Sequence, residues 1–556
     1  MKFSEMPYTR VDIEKLSEDF DRLMQEFDAA ESGEEQFAVH QKYYKLTDHV
    51  STLFTIAEIR QNIDVTDEFY SREKDYYDKY MPVYENLVVE YQKKLFHSRF
   101  RPWLEAKIGP VAFKNMELAM RSVKPELVDL MQEENTLTTR YNKILASAQI
   151  PWDGEILNLS LMSPYLCHRE RDVRKAAWEK YTAFFVENQE EIEDIYDRLV
   201  KNRTRQAEKI GYDNYLPLGY DRMRRNDYDR DMIESFRGQV RRDLVPFAEM
   251  LHERRRTRLG LSSLHYYDEG VFFAQGNPVP LGTPSDILDA GRRMYRELSV
   301  QTGEFMDFMC ENELFDVLGR KKKKTGGYMT YLPDYHAPFI FANFNGTNGD
   351  VDVITHECGH AFQGYLSGQD PIREHSDITM ETAETHSMSM EFFTEPWMDY
   401  FFGDRADDYV KMHFEDSVIF VPYGTMVDEF QDIIYSNPGL SPAARNEVWR
   451  DLERQYRPHM DYSGNSCFEQ GRFWQKQHHI FNLPLYYIDY CIASVDALQY
   501  KSWMDRDYKG AWESYMKLCR LSASKFFTAL IEDAGLNNPF EDGCIRHVTA
   551  GLEKNL

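Results

Sequence analysis

Two histidines four residues apart, with a glutamate beside the first, carry the chemistry of this chain: His356-Glu357-Cys358-Gly359-His360. On a helix, positions i and i+4 share one face, about 40° apart, so both imidazoles can reach one cation. Glu357 then sits beside that cation, where it can take a proton from a bound water. A catalytic zinc uses three protein ligands and keeps another position open, so a third donor is expected downstream. The acidic candidates are Asp370, Glu374, Asp377, Glu381, Glu384 and Glu391. Asp370 and Glu374 flank Pro371 in an expected loop, too poorly fixed to hold a ligand. Glu381, Glu384 and Glu391 fall at spacings of three and seven, on one face of a helix expected from about Ile378 to near Pro396. Carboxylates stacked on an otherwise apolar helix repel one another unless a cation neutralises them. One ligates, and the others can hydrogen-bond ligating histidines from behind. Spacing leaves Glu381 and Glu384 equally open.

The elements that must hold these groups are legible on both sides. Residues 345–350 (Asn-Gly-Thr-Asn-Gly-Asp) supply a turn before the histidine helix, with Asp350 expected as its N-cap, and Ser367-Gly368 ends it. Cys358 points off the histidine face and is expected to pack. Residues 326–345 read as strands around a turn at Pro333-Asp334, rich in aromatic and β-branched residues. The strand at 339–345 is a candidate edge along which an extended peptide can pair; a buried central strand is the alternative. Most of the remainder has helical period. Ile13, Leu16, Phe20, Leu23 and Phe27 step by three and four until Glu31-Ser32-Gly33, and residues 37–59 and 178–199 repeat the pattern. Trp512, Tyr515, Leu518, Phe526 and Leu530 predict one long helix, and the piece at 149–154 with Pro151 predicts a break after an N-terminal helical lobe. The fold class is therefore mainly α, with a small β-sheet next to the metal helix.

Composition removes several classes. The net charge of −27 argues against nucleic acid or an anionic membrane as a partner. Residues 320–324 form a basic run, read as a solvated loop. Seven scattered cysteines without a Cys-x-x-Cys pair suit a reducing compartment. The first residues lack an apolar leader core and no stretch is long enough to span a bilayer, so a cytoplasmic, soluble protein is expected.

His-Glu-Cys-Gly-His, then Glu384-Thr-His-Ser387 and Glu391, resembles the thimet oligopeptidase and oligoendopeptidase F family of zinc metallopeptidases. The run Ala337–Thr347, followed by Asp350-Val-Asp-Val, is similar to the oligoendopeptidase F branch, as are His478-His479-Ile480-Phe481 and Pro484 to Tyr490. The densest similarity covers residues 326–391. The resemblance selects Glu384 over Glu381, because the family's ligand Glu stands three residues before a Ser. It implies one Zn²⁺ per chain on His356, His360 and Glu384, with Glu357 as general base. It also implies a His and tyrosines near 478–490 that bind substrate and the transition state. A twelve-residue spacing to the last Tyr favours His478, whereas the His-Ile-Phe context favours His479. The reading adopts His479 and Tyr490, then Tyr487, with Tyr486 as the alternative partner. The implied architecture is a large helical shell around a deep substrate channel, with residues 1–180 an N-terminal helical lobe and 181–556 the catalytic domain. The implied function is a metalloendopeptidase acting on short peptides; a zinc aminopeptidase and a non-catalytic helical peptide-binding protein are the alternatives.

Overall fold

The computed structural model describes residues 1–320, 322–324 and 326–553. Lys321 of the basic run therefore lies outside the described residues. The chain divides into two compact units, each assembled from three stretches: 1–120, 279–404 and 503–536 in the first, 121–278, 405–502 and 537–556 in the second. The lobe boundary expected at 180 falls inside one unbroken helix, Arg171–Lys209. The segment at 149–154 is not a domain break either. It forms β1 (Ile150–Trp152) and, after a turn, β2 (Glu155–Leu157), an antiparallel hairpin within the second unit. Asp153 and Gly154, both with positive φ, make the tight turn that pairs its strands.

In the first unit, α1 (Ile13–Ala29) buries Leu16, Phe20, Leu23 and Phe27, the stripe its spacing predicts. The Asp12 carboxylate accepts from the Glu14 and Lys15 amides, which caps its first turn. After Ser32, whose hydroxyl accepts from Glu35 N, α2 (Gly33–Ile63) and α3 (Glu68–Phe96) pack with α1 around one apolar cluster. The sheet of this unit has the order β3 (Phe315–Leu318), β5 (Ala337–Phe344), β4 (Tyr328–Leu332). β4 and β5 form an antiparallel hairpin with Tyr328 opposite Phe341 and Leu332 opposite Ala337. β5 is thus paired on both sides and buried over nearly its whole length, so the expected free edge at 339–345 is absent. Its continuous run of apolar residues is the mark of a strand covered on both faces. Lys323 corrects the solvated-loop reading. It is buried, and its ammonium donates to Asp316 and to the carbonyls of Leu318 and Ala342, tying the loop to the sheet.

β5 leads directly into the metal helix, Gly349–Ser367. Asp350 is not its N-cap. Its carboxylate lies in the first turn and accepts from the amides of Asn345 and Gly346, at 2.8 Å each, which clamps the entering turn onto the helix. The glutamate helix, Met380–Phe393, packs along the metal helix. The long helix expected over 512–530 is two pieces. One ends at Leu521, Ser522 turns the chain with φ +46, and a second spans Phe527–Asp533.

In the second unit the helix Arg171–Lys209 buries Arg203, which donates to Glu134 at 2.6 Å and to the Tyr435 hydroxyl at 2.8 Å. A buried guanidinium so paired fixes the register of the helices around it.

Candidate metal centre

The metal helix places His356 and His360 one turn apart, with their rings 4.9 Å between centroids and nearly perpendicular at 85°. Glu384, on the glutamate helix, presents Oε2 at 3.4 Å from His356 Nε2 and 3.6 Å from His360 Nε2. These separations are long for hydrogen bonds. They match donors that share one ion at bonds of about 2.0–2.2 Å in tetrahedral geometry. The three donors lie within 4.8 Å of one another. The two-imidazole, one-carboxylate set fits a catalytic zinc, with a coordination position left for the reaction.

Gly359 explains how the two helices come this close. A Cβ there would lie 2.6 Å from Ser387 Cα and 3.0 Å from the His386 carbonyl oxygen. Only a glycine lets the backbones approach at that point. Ser387 in turn donates its hydroxyl to Glu384 Oε2 at 3.2 Å.

Around the triad, each acidic residue has a distinct task. Glu391 Oε1 lies 2.6 Å from His356 Nδ1, which fixes the ring and leaves Nε2 facing Glu384. Glu381 is buried and receives the Thr379 hydroxyl. Among the described residues, Glu384 and not Glu381 falls in the group with His356 and His360 that could hold a metal ion. Asp370 and Glu374 are firmly held, contrary to the loop reading, but they face the N-terminal helices. Glu374 accepts from the Tyr44 hydroxyl and pairs with His40 Nε2 at 2.9 Å, while Asp370 binds His375 Nδ1 at 2.9 Å. The connector between the metal and glutamate helices is therefore anchored at Asp370 and Glu374, which nothing in the local sequence pattern announces. Cys358 is fully buried, as expected, and burial pushes its thiol pKa up.

Burial drives both ligand histidines toward the neutral form. At His360 it prevails, and the pKa falls to about 4. At His356 the carboxylates of Glu384 and Glu391 outweigh it and hold the pKa well above the ordinary value. Glu357 is partly buried beside His356. Burial raises its pKa, with Glu384 adding to the rise and His356 opposing it. A carboxylate shifted toward neutrality is a better proton acceptor at physiological pH.

The second group of expected residues assembles within the second unit. His479 is partly exposed, and its ring lies 5.0 Å from Tyr487, 6.0 Å from Tyr490 and 5.9 Å from Tyr486. His478 is exposed. Gln477, missed by the sequence reading, donates to His479 Nδ1 at 2.7 Å and accepts from the Tyr423 hydroxyl at 2.8 Å. The only local signal for it was an amide two residues before the histidine. Asp489, buried between Tyr487 and Tyr490 in sequence, accepts from the Tyr228 hydroxyl at 3.1 Å, and burial lifts its pKa to about 7.

Among the described residues, no helix is long and apolar enough to cross a membrane. The sequence matches the Peptidase M3 N-terminal domain over residues 3–123 and Peptidase family M3 over residues 296–550. No curated protein sequence matches it. Among solved structures, PZ peptidase A with an inhibitor is 46% identical, with a TM-score of 0.94, covering 100% of this chain and 98% of the other. A protein described as an oligoendopeptidase F from Bacillus anthracis is 41% identical, with a TM-score of 0.89 and the same coverage. A peptidase-like structure from Chlamydophila abortus shares the fold at 14% identity and a TM-score of 0.72. With likeness running the full length of the chain at this identity, the protein belongs to peptidase family M3, in the oligoendopeptidase F branch.

Proposed function

We propose that this peptidase is a zinc-dependent endopeptidase that cleaves internal bonds of short, unstructured peptides. The convergence of His356, His360 and Glu384, with Glu357 beside them, carries the reading. His356, His360 and Glu384 would hold one Zn²⁺, which supplies Lewis acidity at the scissile carbonyl when bound. Glu357 accepts the proton of the attacking water on its carboxylate and returns it to the leaving amine nitrogen. Glu391 keeps the His356 Nδ1 proton in place, so that Nε2 stays free to ligate. By the family resemblance, His479, Tyr487 and Tyr490 take the role of binding the peptide and its transition state. Burial raises the Tyr487 pKa well above its ordinary value, so its hydroxyl keeps its proton. A cytoplasmic location is supported by seven free cysteines. The net charge of −27 disfavours nucleic acid as a partner.

The test uses quenched fluorescent peptides of graded length, blocked at both termini, with and without chelator. Internal cleavage of the short ones, abolished by chelator, is expected. An aminopeptidase would leave blocked peptides intact. Glu357→Gln is expected to keep its metal and lose about 10²–10⁴-fold in kcat; equal turnover would remove Glu357 from the role.

A further inference from the structure

We infer that Lys476 determines specificity in this peptidase by receiving a carboxylate of the peptide substrate. The inference rests on the reading above that the segment around His479 binds substrate.

Lys476 ends the short 3-10 turn Phe473–Lys476, immediately before the helical turn His478–Asn482 that carries His479. Its ammonium nitrogen lies 4.2 Å from the centroid of the Phe473 ring and 5.5 Å from that of Trp178. The side chain is partly buried, yet among the described residues the ammonium makes no hydrogen bond and no ion pair. Aromatic faces attract a cation, but they do not satisfy its three N–H donors. A charge drawn partly out of water without an anion is costly. Such a group is retained most readily where a ligand completes it.

The chain has no shortage of anions, with 93 acidic against 66 basic residues. The two carboxylates that act on Lys476 electrostatically are engaged elsewhere. Glu453 accepts from the Tyr462 hydroxyl and lies 3.8 Å from Arg457 Nη1. Glu269 takes Arg255 Nη2 at 2.9 Å, His459 Nε2 at 3.2 Å and Arg457 Nη2 at 3.4 Å. The acceptor for Lys476 therefore comes from solvent or from a ligand. For a peptidase, the anionic groups a ligand brings are the C-terminal carboxylate and the side chains of Asp and Glu.

Protonation gives the site a readable signature. Burial first, and Arg457 second, lower the Lys476 pKa to about 8, against the opposing pull of Glu453, the Cys167 thiol and Glu269. The free enzyme thus carries the charge at neutral pH and sheds it in mild alkali. Carboxylate capture should weaken as the pH rises through that value, and kcat/KM reports the free enzyme.

The experiment compares kcat/KM of the metal-loaded enzyme on N-blocked quenched peptides that differ only at the C-terminus. One ends in a free acid and one in an amide; two further amides carry Glu or Gln as the last residue. At pH 7 the acid is expected to be preferred by about ten-fold or more, mainly through KM. The ratio should fall as the pH passes about 8. K476Q should bring it toward one, and K476R should preserve it in alkali, because a guanidinium does not deprotonate there. The Glu/Gln pair distinguishes a side-chain carboxylate from the terminal one. Equal kcat/KM within both the acid/amide and the Glu/Gln pairs in the wild type, or a preference unchanged in K476Q, overturns the inference. The wild-type pH profile needs no variant to fold. Turnover of the amide peptides reports endopeptidase activity alone. If neither acid nor amide is cut, the proposed function fails and this inference falls with it; cleavage without discrimination sinks only the inference.

Discussion

Two clusters in this protein have the same composition and opposite design. His356, His360 and Glu384 form one, and Glu249, His252 and His459 the other; in each, one donor atom per residue lies within 4.8 Å of the rest. In the first, the imidazoles stand at 85° to each other, with their Nε2 atoms 3.4 and 3.6 Å from Glu384 Oε2. In the second, the rings are stacked at 3.4 Å and 23°, so their in-plane lone pairs run side by side. There Arg255 Nη2 donates to His252 Nδ1 at 2.9 Å, and His459 is engaged at both nitrogens, by Glu249 at 2.9 Å and Glu269 at 3.2 Å. Burial, chiefly, keeps His252 well below its ordinary pKa. At His459 burial is outweighed by Glu269 and Glu249, and the pKa is raised. The second cluster supplies its own positive charge through His459, Arg255 and Arg457. Residue type and proximity therefore do not make a metal centre. Ring orientation and the partners already bound to each nitrogen distinguish the two groups.

The largest expected effect tests that contrast directly. Glu384→Ala should lose its zinc and its activity together, whereas Glu381→Ala and His252→Ala should each retain about one zinc per chain by elemental analysis after dialysis. Two zincs in the wild type, one of them lost in His252→Ala, would break the comparison; zinc lost only in Glu381→Ala would move the third ligand. Next, Glu391→Gln is expected to weaken zinc binding by about 10–100-fold in chelator competition, because His356 loses the partner that fixes its ring. Gly359→Ala should destabilise the fold by about 1–3 kcal/mol in denaturant melts, since the added methyl meets Ser387 backbone. An unchanged midpoint would mean that the close approach of the two helices is not needed.

The smallest effect belongs to the self-neutralised cluster. His459 is held above the ordinary histidine value of about 6.5, so its contribution to stability is complete below about pH 6.5 and is lost as the pH rises through the folded-state pKa. Glu269 is held well below its ordinary value of about 4.3, against the pull of burial, by His459, His252 and Arg255; its contribution is present above about pH 4.3 and lost in acid. His459→Asn should therefore flatten the alkaline limb of a Tm-against-pH curve, by about 1 kcal/mol. An unaltered limb would show that the proton at His459 does not bind the two carboxylates together.

What was legible in the residues follows from how local each signal is. The α1 stripe, the hairpin around Pro333-Asp334 and the stop at Ser367-Gly368 depend on near neighbours and stand as expected. The misplaced features depended on partners or backbone angles that a periodic pattern does not encode. Residues 339–345 read equally well as an edge or a central strand, and β3, a parallel neighbour from earlier in the chain, decides for the centre. Lys323 looks solvated beside its basic neighbours until the carbonyl of Ala342 reaches it. Asp350 has the type of an N-cap, but the incoming turn supplies amides that hold it inside the first turn. A periodic run cannot register the single left-handed residue at Ser522 that divides a helix.

By itself the sequence determined which groups could bind a cation and that they would sit on two helices, because the i, i+4 spacing of His356 and His360 is a property of the helix alone. It could not rank Glu381 against Glu384, nor tell a ligand histidine from a stacked one. Those decisions rest on the approach of helix backbones at Gly359, on ring orientation, and on whether an arginine from elsewhere in the chain has already supplied the charge. Side-chain direction in three dimensions, which periodicity does not encode, distinguishes one cluster, with its rings at 85°, from the other, whose stacked rings are engaged by arginine and carboxylate partners.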